Sequence, residues 1–380
     1  MATSPPIRVR TMRPEEKPSV RRIAWRAFPL TESIFFHWSP HVLVAETVTG
    51  PDDEGSSQII GGVVLDLFQL PQSAKDRPAD EQPKGGMVSW LFVDPDAQGL
   101  GAGQALVEGA IALFQEQDCA EMFTCVEGYN TSSSRIFSTR GFERLSPGAQ
   151  FARYGLWGMF LVWLHTFHYL DIGHFLWVRP ADPAPGRPVL QWWGTLLGNI
   201  IIGYLALGRI AGFRYHPEWL LALPLTVLVL LGTRFGAMWL AARHRGVTLR
   251  YRAWESSFPL GVVLALAFGA FYPSPGSLYP PGDGWRYRDW LPDLGPVALI
   301  GASAVLIMTM LTTGAVALGG SANWVVWLVP ASVLTRPLLI LEILLPFFPF
   351  ECYNGRRVWE WKRMAWVVLA TLAVITLILF

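Results

Sequence analysis

The sequence predicts an α/β domain over residues 1–152 followed by an all-α polytopic membrane part over residues 153–380. Two observations carry that division. In the first part a β-rich run, Met87–Val93, gives way at Pro95 to a glycine-rich turn and then to a helical apolar pattern at Ala105, Leu106, Ala110, Ile111 and Phe114. Near Tyr154 the charged character stops, and long apolar stretches take over. The averages over the whole chain, 52% hydrophobic residues, 16% charged and 18 tryptophans, conceal this change.

The turn is the most informative stretch of the first part. In Val93–Gly103 the sequence reads VDPDAQGLGAG, so glycines at 99, 101 and 103 precede a helix. Glycine lets successive backbone N–H groups face one point without side-chain obstruction, and the helix N-terminus adds partial positive charge, so the loop suits a pyrophosphate. A Rossmann site wants G-x-G-x-x-G with an acidic residue at a second strand end, and a P-loop wants Gly-Lys-Ser/Thr. Neither pattern is present, since position 98 is Gln and no lysine follows.

The run Gln98-Gly99-Leu100-Gly101-Ala102-Gly103 after a Val-Asp-Pro strand end resembles the acetyl-CoA signature of the GNAT superfamily of N-acetyltransferases. A second block agrees with it: a buried strand at Cys119–Val126, then Asn130, Ser133, Phe137, Gly141 and Phe142 at the spacing of that family's other motif. The elements before the turn fit in order. Ile7–Val9 reads as a first strand, Ser19–Phe28 as an amphipathic helix, and Val42–Thr47 with Ile59–Leu67 as a meander. The resemblance covers residues 5–150 and implies a mixed, mostly antiparallel twisted sheet with helices. It implies acetyl-CoA as acyl donor, held by Phe92, Val93, Gln98, Gly99, Leu100, Gly101, Ala102, Gly103, Asn130, Ser133 and Phe137.

The implied chemistry is direct transfer: an amine attacks the thioester carbonyl, a base takes its proton and an acid protonates the departing thiolate. The family's usual acid is a tyrosine where this chain has Phe137, so that donor is absent. Glu127 and Tyr129, just past the preceding strand, are the candidate catalytic residues, and Glu46 and Asp66 lie on strands that line the acceptor side; each also reads as a solvated strand-end residue. Between strands, Pro71–Gly86 is a polar loop carrying Lys75, Asp76, Arg77, Asp80, Glu81 and Lys84. It reads as plain surface or as a flank of the acceptor cleft.

The second part holds apolar stretches at about Gly155–Val178, Val189–Leu207, Trp219–Ala242, Phe258–Tyr272, Leu294–Leu318, Trp324–Phe350 and Met364–Phe380. Most reach the roughly 20 residues that cross a bilayer. Trp177, Trp192, Trp193, Trp285, Trp290, Trp359 and Trp361 cluster near the ends, as in an interfacial belt. The N-terminus has no apolar core of a signal peptide, so the first domain is expected in the cytoplasm, and short loops suggest a prokaryotic inner membrane. Basic residues at Arg243, Arg245, Arg250 and Arg252 and again at Arg356, Arg357, Lys362 and Arg363 place both loops on the cytoplasmic side. Parity then requires that Phe258–Tyr272, rich in Pro and Gly, enters and leaves on one side. It also requires that one of the first three stretches does not cross, and Gly155–Val178, with His165, His168, Asp171 and His174, is suspect. Five crossings are expected. Those histidines either hold a metal or face headgroups and water, and the second reading is favoured; no metal is expected.

Residues Gly232–Lys362 resemble microbial site-2 intramembrane metalloproteases in the succession Ala241–Gly246, Arg250–Trp254, Phe258–Gly261, Phe271–Ser277 and Pro346–Trp361. That family places zinc between an H-E-x-x-H helix and a late Asp-Gly. Here those positions read Arg234-Phe235-Gly236-Ala237-Met238 and Asn354, so a zinc site of usual composition and its base are missing and proteolysis is not expected. Cys119, Cys125 and Cys352 form no framework, and a net charge of +1 gives no nucleic-acid footprint. The favoured function is acetyl transfer from acetyl-CoA to an amine of a protein, amino sugar or amino lipid at the membrane. Competing readings are an acetyl-CoA-sensing scaffold that binds a membrane peptide or lipid, and a transporter gated by the first domain.

Overall fold

The computed structural model describes residues 6–28, 33, 35–47, 57–71, 83–169, 172–180, 186–214, 216–320 and 322–379. Asp171 and most of the polar loop after Pro71 lie outside the described residues. The chain divides into two compact units, the first Met1–Val126, Ser132–His168 and Phe175–Pro185, the second Glu127–Thr131, Tyr169–His174 and Gly186–Phe380.

The first unit is built on strands β1 (Ile7–Thr11), β2 (His41–Thr47), β3 (Gln58–Gln69), β4 (Lys84–Val93), β5 (Cys119–Glu127), β6 (Glu143–Arg144) and β7 (His174–Arg179), in the spatial order β1-β2-β3-β4-β5-β7-β6. The first four pair antiparallel, β4 and β5 run parallel, and helix α2 (Ala102–Glu116) makes the crossover between them. Period-two alternation gives the sheet two apolar faces. Helix α1 (Lys17–Ala27) buries Val20, Ile23 and Ala24 against Val42, Val44, Val64 and Phe92. Helix α4 (Pro147–His165) places Val162 among Leu70, Met87, Phe123, Leu176 and Val178, with Phe68 packed beside them. Val64 and Phe68 are four residues apart on β3, so α1 and α4 cover the same face.

Helix α2 covers the opposite face. Leu106 and Phe114 are fully buried there, each stabilising the unit by about 1.5–3 kcal/mol relative to exposure. The helix sits so close to β4 that a Cβ on Gly86 would lie 2.4 Å from the Phe114 ring. Gly86→Ala is therefore expected to cost about 1–3 kcal/mol through overpacking. A thermal-unfolding midpoint unchanged from the parent's would contradict this packing.

The apolar stretch expected at Gly155–Val178 is not one segment. Helix α4 breaks at Gly155 (φ 66°, ψ 178°) and ends at His165, and the chain then re-enters the sheet as β7. Helix α3 (Thr131–Ser138) precedes it in the chain.

The second unit contains α5 (Pro188–Ile210), α6 (Trp219–His244), α7 (Ser257–Phe268), α8 (Tyr287–Gly319), α9 (Val325–Leu339, continued as a π turn to Leu344), α10 (Asn354–Trp361) and α11 (Arg363–Leu379). Four of these, Pro188–Ile210, Trp219–His244, Tyr287–Gly319 and Val325–Leu344, are long and apolar enough to cross a membrane. Helix α7, with 12 residues, is about 18 Å long, short of the roughly 30 Å hydrocarbon layer. Beyond it the chain is irregular, and Phe271–Pro280 are all buried. Buried irregular backbone must find protein partners, and here it does. Asn199 donates to Ser274 O at 2.9 Å and accepts from Ser274 N at 3.0 Å, Tyr251 donates to Pro275 O at 3.0 Å, and Arg234 donates to Gly276 O at 3.1 Å. Strand β9 (Ser277–Tyr279) then pairs antiparallel with β8 (Arg250–Arg252).

Candidate active site

Strands β4 and β5 are paired only as far as Val88↔Thr124, yet β4 runs on to Val93 and β5 to Glu127. Past that point the β5-facing edge of β4 has no strand partner in the ladder, so its backbone polar groups are released toward the gap between the strands. The parting coincides with a β-bulge: Leu65 pairs with Val88 and Val64 with Trp90, leaving Ser89 as the extra residue. Bulges re-aim side chains and end pairing next to sites.

The glycine loop follows directly. Asp94 ends β4, its N–H donating to Ile60 O at 2.8 Å and its carboxylate accepting from Asp96 N at 3.0 Å. Arg26 of α1 clips the loop through Asp94 at 2.8 Å and Asp96 at 2.7 Å. Gly99 and Gly101 have φ of 85° and 95°, and Gly101 is the N-cap of α2. A Cβ at either would touch nothing within 4 Å, so glycine is required there for conformation, not space. Of the other expected cofactor contacts, the Phe92 side chain is in the core beneath α1 and Ala102 is buried, which leaves their backbone for a ligand.

Beside the bulge stands a polar group that the sequence reading only half found. Asp66 on β3 accepts from Ser89 Oγ and lies 3.2 Å from His37 Nε2. Trp90 Nε1 donates to His37 Nδ1 at 3.3 Å, which assigns the neutral tautomer with its proton on Nε2. The His37 side chain is 38% exposed. The hydrogen bond to Asp66 raises the His37 pKa, outweighing partial burial, which lowers it. The indole N–H opposes that rise, but a full carboxylate charge outweighs a dipole at similar distance. For Asp66 itself burial pushes upward, and the hydrogen bonds from His37 and Ser89 overcome it and hold the carboxyl below its ordinary range. His37 gave no signal in sequence, because its partner is 29 residues away and its loop has no periodicity.

Glu46 looks like Asp66 in sequence but has a different fate. It accepts from Arg10 at 2.7 Å and 3.0 Å, and Arg10 also binds Glu16 at 2.6 Å. That ties β1, β2 and the start of α1 together.

Glu127, Tyr129 and Asn130 group with the second unit. Glu127 Oε2 accepts from Tyr129 N at 2.8 Å, while Oε1 is buried without a hydrogen-bond partner. Burial pushes the Glu127 carboxyl up to about 7, against the pull of Arg356. The Tyr129 hydroxyl is 3.0 Å from Ser277 Oγ and donates to Leu278 O at 3.2 Å, its ring stacks on Tyr279, and the Arg357 guanidinium lies 4.3 Å from its centroid. Ser133 lies on α3 in the first unit. Phe137 is buried edge-on to Phe142 at 5.2 Å.

Of the histidines, His165 is exposed and stacks on Phe68 at 4.8 Å, His168 is buried with Nδ1 3.5 Å from Cys125 Sγ, and His174 Nδ1 is 3.2 Å from Ile172 O. Among the described residues no group of three or more His, Cys, Asp or Glu is arranged to hold a metal.

The second unit has its own buried polar cluster. Arg234 Nε donates to Glu342 Oε1 at 2.9 Å, and both side chains are almost wholly buried. Asn354 donates to the same carboxylate and lies 3.6 Å from Met238 Sδ, while Arg357 donates to Asn354 Oδ1 and to Ser277 Oγ at 3.1 Å. Arg234, Met238 and Asn354 thus come together around Glu342.

With that geometry in hand, residues 11–142 match the acetyltransferase (GNAT) family. The mixed sheet with its flanking helices is the GNAT fold, and it is followed by a helical region with four candidate membrane-spanning helices. A mycothiol acetyltransferase of Geodermatophilus obscurus is 38% identical over 68 residues, 18% of this chain and 22% of that protein. One from Sanguibacter keddieii is 38% identical over 80 residues, 20% of this chain and 24% of its own length. The chain thus spans less than a quarter of these curated relatives. Among solved structures, Arabidopsis thaliana NAA60 in complex with acetyl-CoA is 18% identical, covering 37% of this chain and 88% of that one with a TM-score of 0.32. The NatC complex bound to Gag peptide and CoA is 18% identical, covering 46% and 99% with a TM-score of 0.31.

Proposed function

We propose that the chain is a membrane-anchored N-acetyltransferase that moves the acetyl group of acetyl-CoA to a primary amine. One observation carries the reading: the parting of β4 from β5 at the Ser89 bulge, followed at once by a glycine loop that caps α2. A pyrophosphate fits the N–H groups of Gln98–Gly103, and the freed edge of β4 offers backbone donors to a thioester carbonyl. His37, positioned by Asp66, takes the proton of the attacking ammonium. A base with a pKa somewhat above the ordinary histidine value of about 6.5 suits that task near neutral pH. With Phe137 where the family's tyrosine would stand, and the Tyr129 hydroxyl bonded elsewhere, CoA leaves as the thiolate and collects its proton afterwards.

The pH profile tests the base. Because His37 acts deprotonated, kcat/KM for amine acetylation is expected to rise with pH through a pKa above the histidine norm. His37→Ala removes that limb; Asp66→Asn, which takes away the group that raises the pKa, moves it to lower pH. Thiol release followed with each variant distinguishes these outcomes, and a limb that persists in His37→Ala would exclude His37 as the base.

The four long apolar helices support membrane anchoring. With α7 re-entrant and α11 as the fifth crossing, the basic loops at Arg243–Arg252 and Arg356–Arg363 fall on one side together with the N-terminal domain, which the charge rule makes the cytoplasmic side; the short loops suit a prokaryotic inner membrane. A second reading, a membrane-peptide- or lipid-binding pseudoprotease with a sensing domain, is favoured by one observation. The positions that the second resemblance assigns to zinc ligands gather around a carboxylate, and a guanidinium supplies the positive charge. Arg234, Met238 and Asn354 are not the imidazole and carboxylate ligands of a zinc site, and protease activity is not part of either reading.

A further inference from the structure

Helix α4 buries Gly158, Val162 and Trp163 and turns an apolar stripe outward. Leu156, Trp157, Phe160 and Leu164 are all exposed along it, Trp157 at 70%, and Phe167 just beyond the helix continues the line. The stripe follows i, i+4, i+8 spacing, so it is one continuous surface. On the same face of the sheet, α1 turns a basic surface outward: Lys17, Arg21, Arg22 and exposed Trp25 line a concavity of about 600 Å³, with the Arg21 guanidinium 4.5 Å from the Trp25 ring centroid. An apolar aromatic stripe beside clustered cations is the signature of a surface that rests in the headgroup layer, apolar side chains inserted and cations on phosphates. A contiguous exposed apolar stripe of this kind marks an interaction surface.

The candidate base has a neighbour from each surface: on the α1 side Lys17 Nζ lies 5.0 Å from the ring centroid of Trp38, the residue after His37. Phe167, at the end of the stripe, has its ring 5.4 Å from that of His37, which lies in the segment following α1, and His165 stacks on Phe68, two residues along β3 from Asp66. The acceptor side of the site therefore borders the apolar stripe.

We propose that this face lies on the bilayer and that the acceptor is the primary amine of a phosphoethanolamine-type phospholipid headgroup. This rests on the transferase reading above. The headgroup phosphate meets the cations of α1 while its ammonium reaches His37. The ammonium gives one proton to His37, the amine nitrogen forms an amide bond with the acetyl carbon as the C–S bond breaks, and the nitrogen's second proton goes to the departing CoA thiolate. His37 returns its proton to water. The products are an N-acetylated lipid, one positive charge poorer, and free CoA.

The test uses the full chain in nanodiscs of phosphatidylcholine and phosphatidylethanolamine with radiolabelled acetyl-CoA. Label is followed into the organic phase, with glycerophosphoethanolamine as a water-soluble acceptor in parallel and calorimetric acetyl-CoA binding as the check that each protein is folded. The expected result is labelled lipid, reduced about tenfold or more in Trp157→Glu/Phe160→Glu with acetyl-CoA binding and any transfer to the soluble headgroup retained, and reduced likewise in Arg21→Glu/Arg22→Glu with acetyl-CoA binding retained. Acetyl-CoA binding without lipid labelling overturns the acceptor assignment alone, and lipid labelling that neither double variant reduces overturns the bilayer-binding face. A parent that binds no acetyl-CoA overturns the transferase reading beneath it.

Discussion

Gly101→Glu in the full chain is expected to weaken acetyl-CoA binding by on the order of 100-fold, about 2.8 kcal/mol at 1.4 kcal/mol per decade. Two effects act together. The residue caps α2 at φ 95°, a conformation that costs an L-residue roughly 1–2 kcal/mol. The new carboxylate also stands at the helix N-terminus, where the partial positive charge and free N–H groups would otherwise receive the pyrophosphate. Gly101→Ala separates the two, because it adds the strain without the charge, and nothing within 4 Å obstructs its Cβ. Calorimetric titration of the detergent-solubilised protein is expected to rank the affinities parent, alanine, glutamate. An affinity for Gly101→Glu equal to the parent's would remove the glycine loop from the cofactor site.

The second large effect lies in the helical unit. Arg234→Met leaves Glu342 buried with its main counter-charge gone, and one partner of a buried ion pair removed alone typically costs about 3–5 kcal/mol. The loss spreads, since Glu342 also holds Asn354, and Asn354 accepts from Arg357. Removing both charges, Arg234→Met with Glu342→Leu, is expected to recover most of the loss, because well-packed apolar residues of similar volume replace such pairs at little cost. Thermal unfolding in detergent reads both: a large drop in Tm for the single variant and a partial return for the double. A single variant as stable as the parent would show that the pair contributes nothing to holding α6 against the turn after α9.

The strand–glycine turn–helix core of the first unit was legible in the sequence because each part leaves a local signature: β-rich residues, glycines where φ is positive, then 3.6-residue periodicity. The crossover from β4 through α2 to β5 follows from those signs alone. Strand β7 was not legible. Its run Phe175–Val178 is buried, without the alternation that marks a half-exposed strand, and it follows an apolar helix after a short turn, so together they read as one apolar stretch. The interruption of the apolar stretch Phe258–Tyr272 was legible from its prolines and glycines: α7 stops at Phe268 and the chain continues irregular and buried.

The candidate site was half legible. Asp66 and Glu46 are both strand carboxylates, and only the fold reveals that Arg10 occupies one while His37 and Ser89 attend the other. The Ser89 bulge was hidden because it is a property of register between β3 and β4, which no residue type announces. Tyr129 reads as a strand-end residue, yet its partners Ser277, Leu278 and Tyr279 come nearly 150 positions later, a relation beyond local pattern.

An experimental structure of the full chain with acetyl-CoA decides where the cofactor lies. Pyrophosphate density is expected against the backbone N–H groups of Gln98–Gly103, with the acetyl carbonyl at the edge of β4 beyond Val88, within reach of His37. Acetyl-CoA bound away from that loop, or a thioester remote from the Ser89 bulge, would contradict this placement.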